Sequence, residues 1–393
     1  MEILVGTQQV SGTRAAGAYL VTVCEQLERL GHEVTVFAAE AGGPAADVGL
    51  RVVSSERGLP LAPDAIYSQD AYSALLLAEL YPLTPQAFAL HGDQDDLWLP
   101  PQLPGVIAVA VACDDRVVER ARAAALVQEV VRLRQPVDTE RFSPRGPLID
   151  PPKSALLIDD RLSDYRHGLV VRACADAGIE CRQKSNVTLL DVDVVIGRGR
   201  VTLEAMASGR AAYVYGDDGG DGWVTPERYA LLEADGFSGR AEAAATDFAR
   251  LRADLDEYST EMGPANRELA VAGHGAREHA QELVGVFERL APRRDPVDAP
   301  LRELARLVRV EAATDRRAEA FGAEAYRERE RVQELELELA TARVRVEELD
   351  ARVAELETAL AEAEQREQEA VAQRGRGVRR LLGREAKVPS TEG

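Results

Sequence analysis

Cysteine, aromatic side chains and positive charge are all scarce in this chain, and each shortage removes a class of function. Among 393 residues there are four cysteines, Cys24, Cys113, Cys174 and Cys181. They are scattered and none forms a C-x-x-C pair, which argues against a disulfide framework or a zinc site. Free thiols in a reducing cytoplasm are the expectation. No stretch reaches the ~20 consecutive apolar residues of a membrane span. The N-terminus enters directly into an apolar run, with no basic region and no cleavage site, so no signal peptide is expected. Lys and Arg number 47 against 67 Asp and Glu, a formal charge of -20. Phosphate contacts need clustered cations, so a nucleic-acid partner is excluded. Residues Thr7–Gly17 lack a full G-x-G-x-x-G, which speaks against a dinucleotide site.

What the chain does carry is α/β patterning, twice over. Met1–Gly6 reads as a buried parallel strand, Thr13–Leu30 as a helix stopped by Gly31, and Glu33–Ala38 as the next strand. Strand, helix, strand within forty residues is a βαβ unit, the start of a doubly wound sheet. Further strands are expected at Leu50–Ser54, Ala65–Tyr67, Ala87–Leu90, Val106–Ala112 and Val130–Leu133, with a helix at Asp114–Ala125. Prolines 136, 144, 147, 151 and 152 then mark a linker. A second α/β pattern follows, with strands at Ala155–Ile158, Asp191–Ile196 and Ala211–Tyr215 and another led into by Gly178–Arg182. Its helices are Gly168–Ala177 and Gly275–Leu290. The expected division is 1–145, 146–292, a helical segment 297–372 and a basic tail 373–393.

The most informative stretch is Gly197-Arg198-Gly199-Arg200-Val201-Thr202-Leu203-Glu204-Ala205-Met206-Ala207-Ser208-Gly209-Arg210. Glycines let a backbone turn tightly and approach a ligand. A helix starting near Val201 points its free N–H groups at an anion. Glu204, one turn in, is placed to accept hydrogen bonds from a ribose. Phosphate and polyol contacts together suit a nucleotide-sugar, which makes Gly197, Gly199 and Glu204 candidate donor-binding residues.

Four stretches resemble the GT-B glycosyltransferases, in particular the retaining family 4 enzymes. These are the opening Met1–Ala38, Pro136-Val137-Asp138-Thr139-Glu140-Arg141-Phe142, which looks like an inter-domain "PVDxxxF", Glu204-Ala205-Met206-Ala207-Ser208-Gly209, which looks like "EAMAxG", and Gly219-Gly220. Together they cover roughly residues 1–291. The resemblance implies two Rossmann-like domains facing a cleft, an acceptor in the first, a nucleotide-sugar donor in the second, and no bound metal or other cofactor. Glu204 matches the second glutamate of the family's E-x7-E pair, and the first falls at Ile196, which departs from the pattern. Arg161 and Arg166 stand where the family grips diphosphate, within Asp160–Gly168. Gly12 lies on the first strand-to-helix loop and Gly219 and Gly220 beside the donor. His91, after a strand in the first half, is the catalytic candidate, orienting the acceptor or bonding a sugar hydroxyl. Asp93-Gln94-Asp95-Asp96 reads as a solvated acidic turn, with a general base as the alternative. Gly219–Trp223 reads as a mobile loop whose Trp223 either packs or stacks on a ligand. Asp191 and Asp193 fall on one face of a strand, with no glycine-rich metal loop around them, and are not read as metal ligands.

Val332–Arg366 holds five heptads, with Val332, Leu339, Val346, Val353 and Leu360 at a and Leu335, Ala342, Leu349, Leu356 and Ala363 at d. Mostly β-branched a with leucine-rich d favours a parallel two-stranded coiled coil, and Arg331–Glu336, Glu338–Arg343, Arg345–Asp350 and Arg352–Glu357 would pair with opposite sign across it. A homodimer is expected. Arg374, Arg376, Arg379, Arg380, Arg384 and Lys387 make a basic tail, either a solubilising segment with its cations after the coil's C-terminal end or a contact for anionic lipid headgroups. That contact would fit an acceptor drawn from cell-envelope glycans or glycolipids and a location on the inner membrane face. The expected function is transfer of a sugar from a nucleotide-sugar to such an acceptor. The alternative is a non-catalytic scaffold that binds a nucleotide or glycan and recruits partners through its coil, and a further reading is a GT-B epimerase.

Overall fold

In the computed structural model the described residues are 1–10, 15–40, 49–92, 99–123, 125, 127, 129–158, 162–183, 189–216, 219–242 and 247–293, with isolated positions between 304 and 366. Met1–Val310 form one compact unit and Glu311–Gly393 another.

The larger unit contains two sheets. The first has seven strands, β1 (Glu2–Gln9), β2 (Glu33–Glu40), β3 (Val52–Val53), β4 (Ala65–Ser68), β5 (Gln86–Leu90), β6 (Val109–Ala112) and β7 (Val130–Arg132), in the order β3-β2-β1-β4-β5-β6-β7. All neighbours are parallel. The order reverses between β1 and β4, and it is at the carboxyl ends of strands flanking such a reversal that open α/β sheets generally hold ligands. Helices α1 (Ala15–Arg29), α2 (Ala71–Leu80) and α3 (Asp115–Ala123) cover the faces. Leu4, Ile66, Phe88 and Ala110 face α2 and α3, whereas Ile3, Tyr67, Ala89 and Val111 face α1. Parallel strands buried on both sides read as continuous apolar runs, which is why these strands were legible.

The second sheet runs β12-β11-β10-β8-β9, from β8 (Ser154–Ile158), β9 (Glu180–Gln183), β10 (Val194–Gly197), β11 (Ala211–Gly216) and β12 (Gly219–Trp223). Its order reverses between β8 and β10. Around it lie α4 (Asp164–Asp176), α5 (Arg200–Ala207), α6 (Tyr229–Ala234), α7 (Phe248–Asp256) and α8 (Met262–Gly273). The final helix, α9 (Ala276–Arg289), follows the second half in sequence but buries Ala280, Leu283, Val286 and Phe287 in the first sheet's core beside α1. The mixed α/β fold with two Rossmann-like halves is the architecture the GT-B likeness implied.

Several expectations need correction. Gly219–Trp223 is no mobile loop: it is β12, antiparallel to β11 and buried along its length. Trp223 packs edge-on against Tyr213 and donates Nε1–H to the Asp254 carbonyl at 2.6 Å, so it is a core residue. Asp191 closes a short 3₁₀ turn, not a strand, because the strand begins at Val194. Asp193 accepts from the amides of Lys153 and Ser154 at 2.9 and 3.0 Å, which fixes the start of β8. Helix α2 was not expected at all.

The linker is clamped. The Val137 amide donates to the His274 carbonyl at 2.8 Å, and Val137 bridges Gly275 in parallel. His274 Nδ1 donates to the Gln135 carbonyl and His279 Nδ1 to the Arg134 carbonyl, both at 2.8 Å. Carbonyls only accept, so each Nδ1 carries the proton. The chain thus crosses between halves twice, side by side, at Arg134–Val137 and His274–His279.

In the smaller unit, heptad positions Val332, Leu335, Leu339, Val346, Leu349 and Val353 are helical and each just over half exposed. No described helix is long and apolar enough to cross a membrane. The tail 373–393 lies outside the described residues.

Candidate functional site

The glycine–arginine turn is as tight as its composition suggests, but for reasons of packing. Gly197 ends β10, and a Cβ there would stand 2.7 Å from the Ile158 carbonyl oxygen of the neighbouring strand. Gly199 caps α5 at φ +59°, a conformation that disfavours L side chains. Its amide is already committed to the Phe237 carbonyl at 2.8 Å. Both glycines therefore serve close packing of the turn, and the amide of Gly199 is not available to an anion.

The next residue dominates the site. Arg200, 6% exposed, donates Nε–H to Glu204 Oε1 at 2.8 Å, one turn along α5. Its Nη1 donates to the Pro136 carbonyl at 3.1 Å and its Nη2 to Thr22 Oγ1 of α1 at 2.9 Å. One guanidinium therefore joins the second half, the linker and the first half. Glu204, 17% exposed, sits on this junction with one oxygen held by Arg200. The position eight residues before it, Ile196, lies in mid-strand between Leu157 and Tyr213 at 1% exposure. An acid there would face core, not cleft.

Ion pairs also cross between halves. Arg132 of β7 grips Glu233 of α6 with Nη2 at 2.7 Å from each carboxylate oxygen. Arg134 Nε stands 3.6 Å from Glu233, and Arg116 Nε 3.3 Å from Asp235. Gly236 abuts Asp114: a Cβ on it would lie 3.0 Å from that carboxylate.

On the first half, alternation sets a row of side chains past the strand ends. Tyr67 and Ala65 face α1, so Gln69, two residues on, does too. Ala87 and Ala89 place His91 beside it, and Val109 and Val111 place Cys113 next. His91 Nε2 donates to Gln69 Oε1 at 2.6 Å, and the Tyr19 ring meets His91 edge-on at 5.0 Å. Burial lowers His91 to about 4, so its imidazole is neutral at pH 7. Burial pushes the Cys113 thiol up to about 12, against the pull of Arg132 and Arg200. Below the row, Tyr67 OH donates to Tyr19 OH at 2.7 Å and Tyr19 OH donates to His279 Nε2 at 3.0 Å.

The structure thus brings Glu204 and the turn to the junction, and His91 to the first sheet's rim. Arg166 of α4 lies over the Tyr215 ring, 5.9 Å from its centroid. Gly219 and Gly220 belong to β12 opposite Gly216 and Tyr215. Gly12, Arg161 and Asp93–Asp96 lie outside the described residues. Sequence reading passed over Gln69 and Thr22 and gave Arg200 no role. The available signal for Arg200 was its i, i+4 spacing to Glu204. Among the described residues no group of three or more His, Cys, Asp or Glu could hold a metal ion.

A scan against protein-family models found no match, and a search of curated proteins also returned none. Solved structures do resemble it. A glycosyltransferase from Rickettsia africae ESF-5 is 12% identical, covering 73% of this chain and 97% of its own, with a TM-score of 0.49. AviGT4, a glycosyltransferase involved in avilamycin A biosynthesis, is 15% identical with the same coverages and score. The pneumococcal O-GlcNAc transferase GtfA, solved with UDP and GlcNAc, is 9% identical over 73% of this chain and 98% of that one, again at 0.49. The fold assignment here rests on this chain's own strand order and crossovers.

Proposed function

We propose that this protein is a metal-independent GT-B glycosyltransferase that moves a sugar from a nucleotide-sugar to a glycan or glycolipid acceptor. The observation that carries the reading is the Arg200–Glu204 pair at the junction of the two halves. Glu204 keeps one carboxylate oxygen for a ribose hydroxyl. Arg200, together with Arg161 and Arg166, supplies positive charge for the leaving diphosphate in place of a metal. The second half, about residues 146–274, takes the donor, and the first, 1–145 with the returning helix α9, the acceptor. A neutral His91 tied to Gln69 orients a hydroxyl and is a poor general base at a pKa near 4. The coil pairs two chains in parallel, and the basic tail reaches anionic lipid from the cytoplasmic side.

A panel of nucleotide-sugars tests this by release of free nucleoside diphosphate and by calorimetric binding. Turnover with one donor supports transfer. Glu204→Ala is expected to weaken donor binding at least tenfold; unchanged binding removes Glu204 from the site. A second reading, a binding scaffold without turnover, is favoured by the buried Ile196 where the family pattern has an acid. Donor binding with no nucleoside diphosphate release would select it.

A further inference from the structure

The amide nitrogen of Gln69 is the informative loose end. Gln69 is 2% exposed, at the carboxyl end of β4, where the first sheet reverses its strand order. Its backbone N–H donates to the Gly6 carbonyl at 2.8 Å, which fixes it beside β1. Its Oε1 accepts a hydrogen bond from His91 Nε2–H, yet its Nε2, fully buried, has no hydrogen-bond partner among the described residues. A buried donor left unsatisfied costs about 1–3 kcal/mol, so such groups need a partner or a purpose. Turning the amide over, with His91 in its other tautomer, would satisfy Nε2 and leave Oε1 unpartnered instead, so one end of the amide stays open either way. Crevices at such reversals of strand order are where open α/β sheets bind ligands. The walls supply neutral groups: the uncharged His91 ring, the Tyr19 ring edge-on to it, and the Tyr19–Tyr67–His279 chain beneath. An NH₂ group offered among neutral groups suits an uncharged oxygen acceptor better than an anion.

We propose that Gln69 is a specificity-determining residue whose Nε2–H donates to a sugar hydroxyl in the crevice between β1 and β4, with His91 holding the amide in register. The proposal rests on the transferase reading for its context, but the two fail separately. The sugar has two sources, the donor's own hexose or a free acceptor sugar, and the ligand arms separate them.

The experiment uses the full chain labelled with ¹⁵N-glutamine, the Gln69 side-chain signal being assigned by its loss in Gln69→Met. Probes are UDP-glucose, GDP-mannose, dTDP-glucose, UDP-N-acetylglucosamine, the matching nucleoside diphosphates, and free glucose, mannose, galactose and N-acetylglucosamine. The expected result is that the Gln69 signal moves with a sugar-bearing probe and stays still with the nucleoside diphosphate alone. Movement with a nucleotide-sugar only assigns the donor hexose, and movement with a free sugar assigns the acceptor. A nucleotide-sugar that binds by calorimetry without moving the signal overturns the role of Gln69 and leaves the transferase reading intact. Free sugar that moves the signal while no nucleotide binds keeps Gln69 and sinks that reading. No response to any probe sinks both. Gln69→Met, close in volume, is expected to weaken nucleotide-sugar or sugar binding about tenfold and to leave nucleoside diphosphate binding unchanged. A purely structural glutamine would weaken both together.

Discussion

Arg200 occupies a position that local electrostatics disfavour. It stands in the first turn of α5, where the helix end is positive, and it precedes its acidic partner, the weaker order for an i, i+4 pair. It is also nearly buried. Its contacts with Thr22 and Pro136 supply the compensation, so its place is explained by the junction and not by the helix. The histidines make the complementary case. His91 and His279 are each lowered to about 4 by burial, and His274 is lowered as well. Between that value and the ordinary 6.5, the unfolded chain binds protons that the folded chain refuses. Their contribution is therefore complete above about pH 6.5 and is lost as pH falls toward 4. Urea midpoints at pH 7, 6 and 5 should fall, with a slope of up to ~1.4 kcal/mol per pH unit per histidine. His279→Gln should be less stable at pH 7 and decline less steeply.

At the scale of elements, α2 shows how tertiary burial erases a signal. Its residues Tyr72–Ala78 are all buried, so it has no polar face and no helical period to read. What starts it is Asp70, whose Oδ1 accepts from the Ser73 amide at 2.8 Å while Oδ2 accepts from the Gln8 amide at 2.6 Å. Asp70→Ala should cost about 1–2 kcal/mol in urea unfolding through the lost cap. Asp70→Asn keeps the cap through Oδ1 but turns its NH₂ on the Gln8 amide, so it too should lose stability. Unchanged stability in Asp70→Ala would refute the cap. The turn before α5 is equally constrained, since Gly197 meets Ile158 and Gly199 requires positive φ.

At the scale of the whole molecule, the charged contacts between the halves among the described residues include Arg132–Glu233, Arg134–Glu233, Arg116–Asp235 and the Arg200 clasp. Glu233 is 7% exposed and Arg132 24%, so the pair is only partly screened by salt. Glu233→Gln should lower stability by about 2–3 kcal/mol and raise the radius of gyration in X-ray scattering, while the sheets keep their circular dichroism. An unchanged radius would show that the clamp at Val137 and His274 alone sets the spacing. The paired-helix reading of the smaller unit predicts that Leu349→Lys converts dimers to monomers in light scattering. A persistent dimer would exclude that seam.

The α/β class, the two halves and the linker were legible because parallel strands are continuously apolar and prolines interrupt them. The places of Glu204, one turn into α5, and of His91, just past β5, were legible because a turn, a helix start and a strand end leave local marks. Gly219–Trp223 was not, since a strand with three glycines carries no β signature and becomes one only by pairing with β11. Gln69 and Thr22 were not, because a glutamine at a strand end and a threonine in a helix are ordinary until β5 and α5 arrive beside them. Periodicity along the chain determined which segments fold and which face each one buries. Only the tertiary structure decided which polar groups meet, within the first half and across the two, because those meetings join residues 22 to 178 positions apart and leave no trace in local spacing.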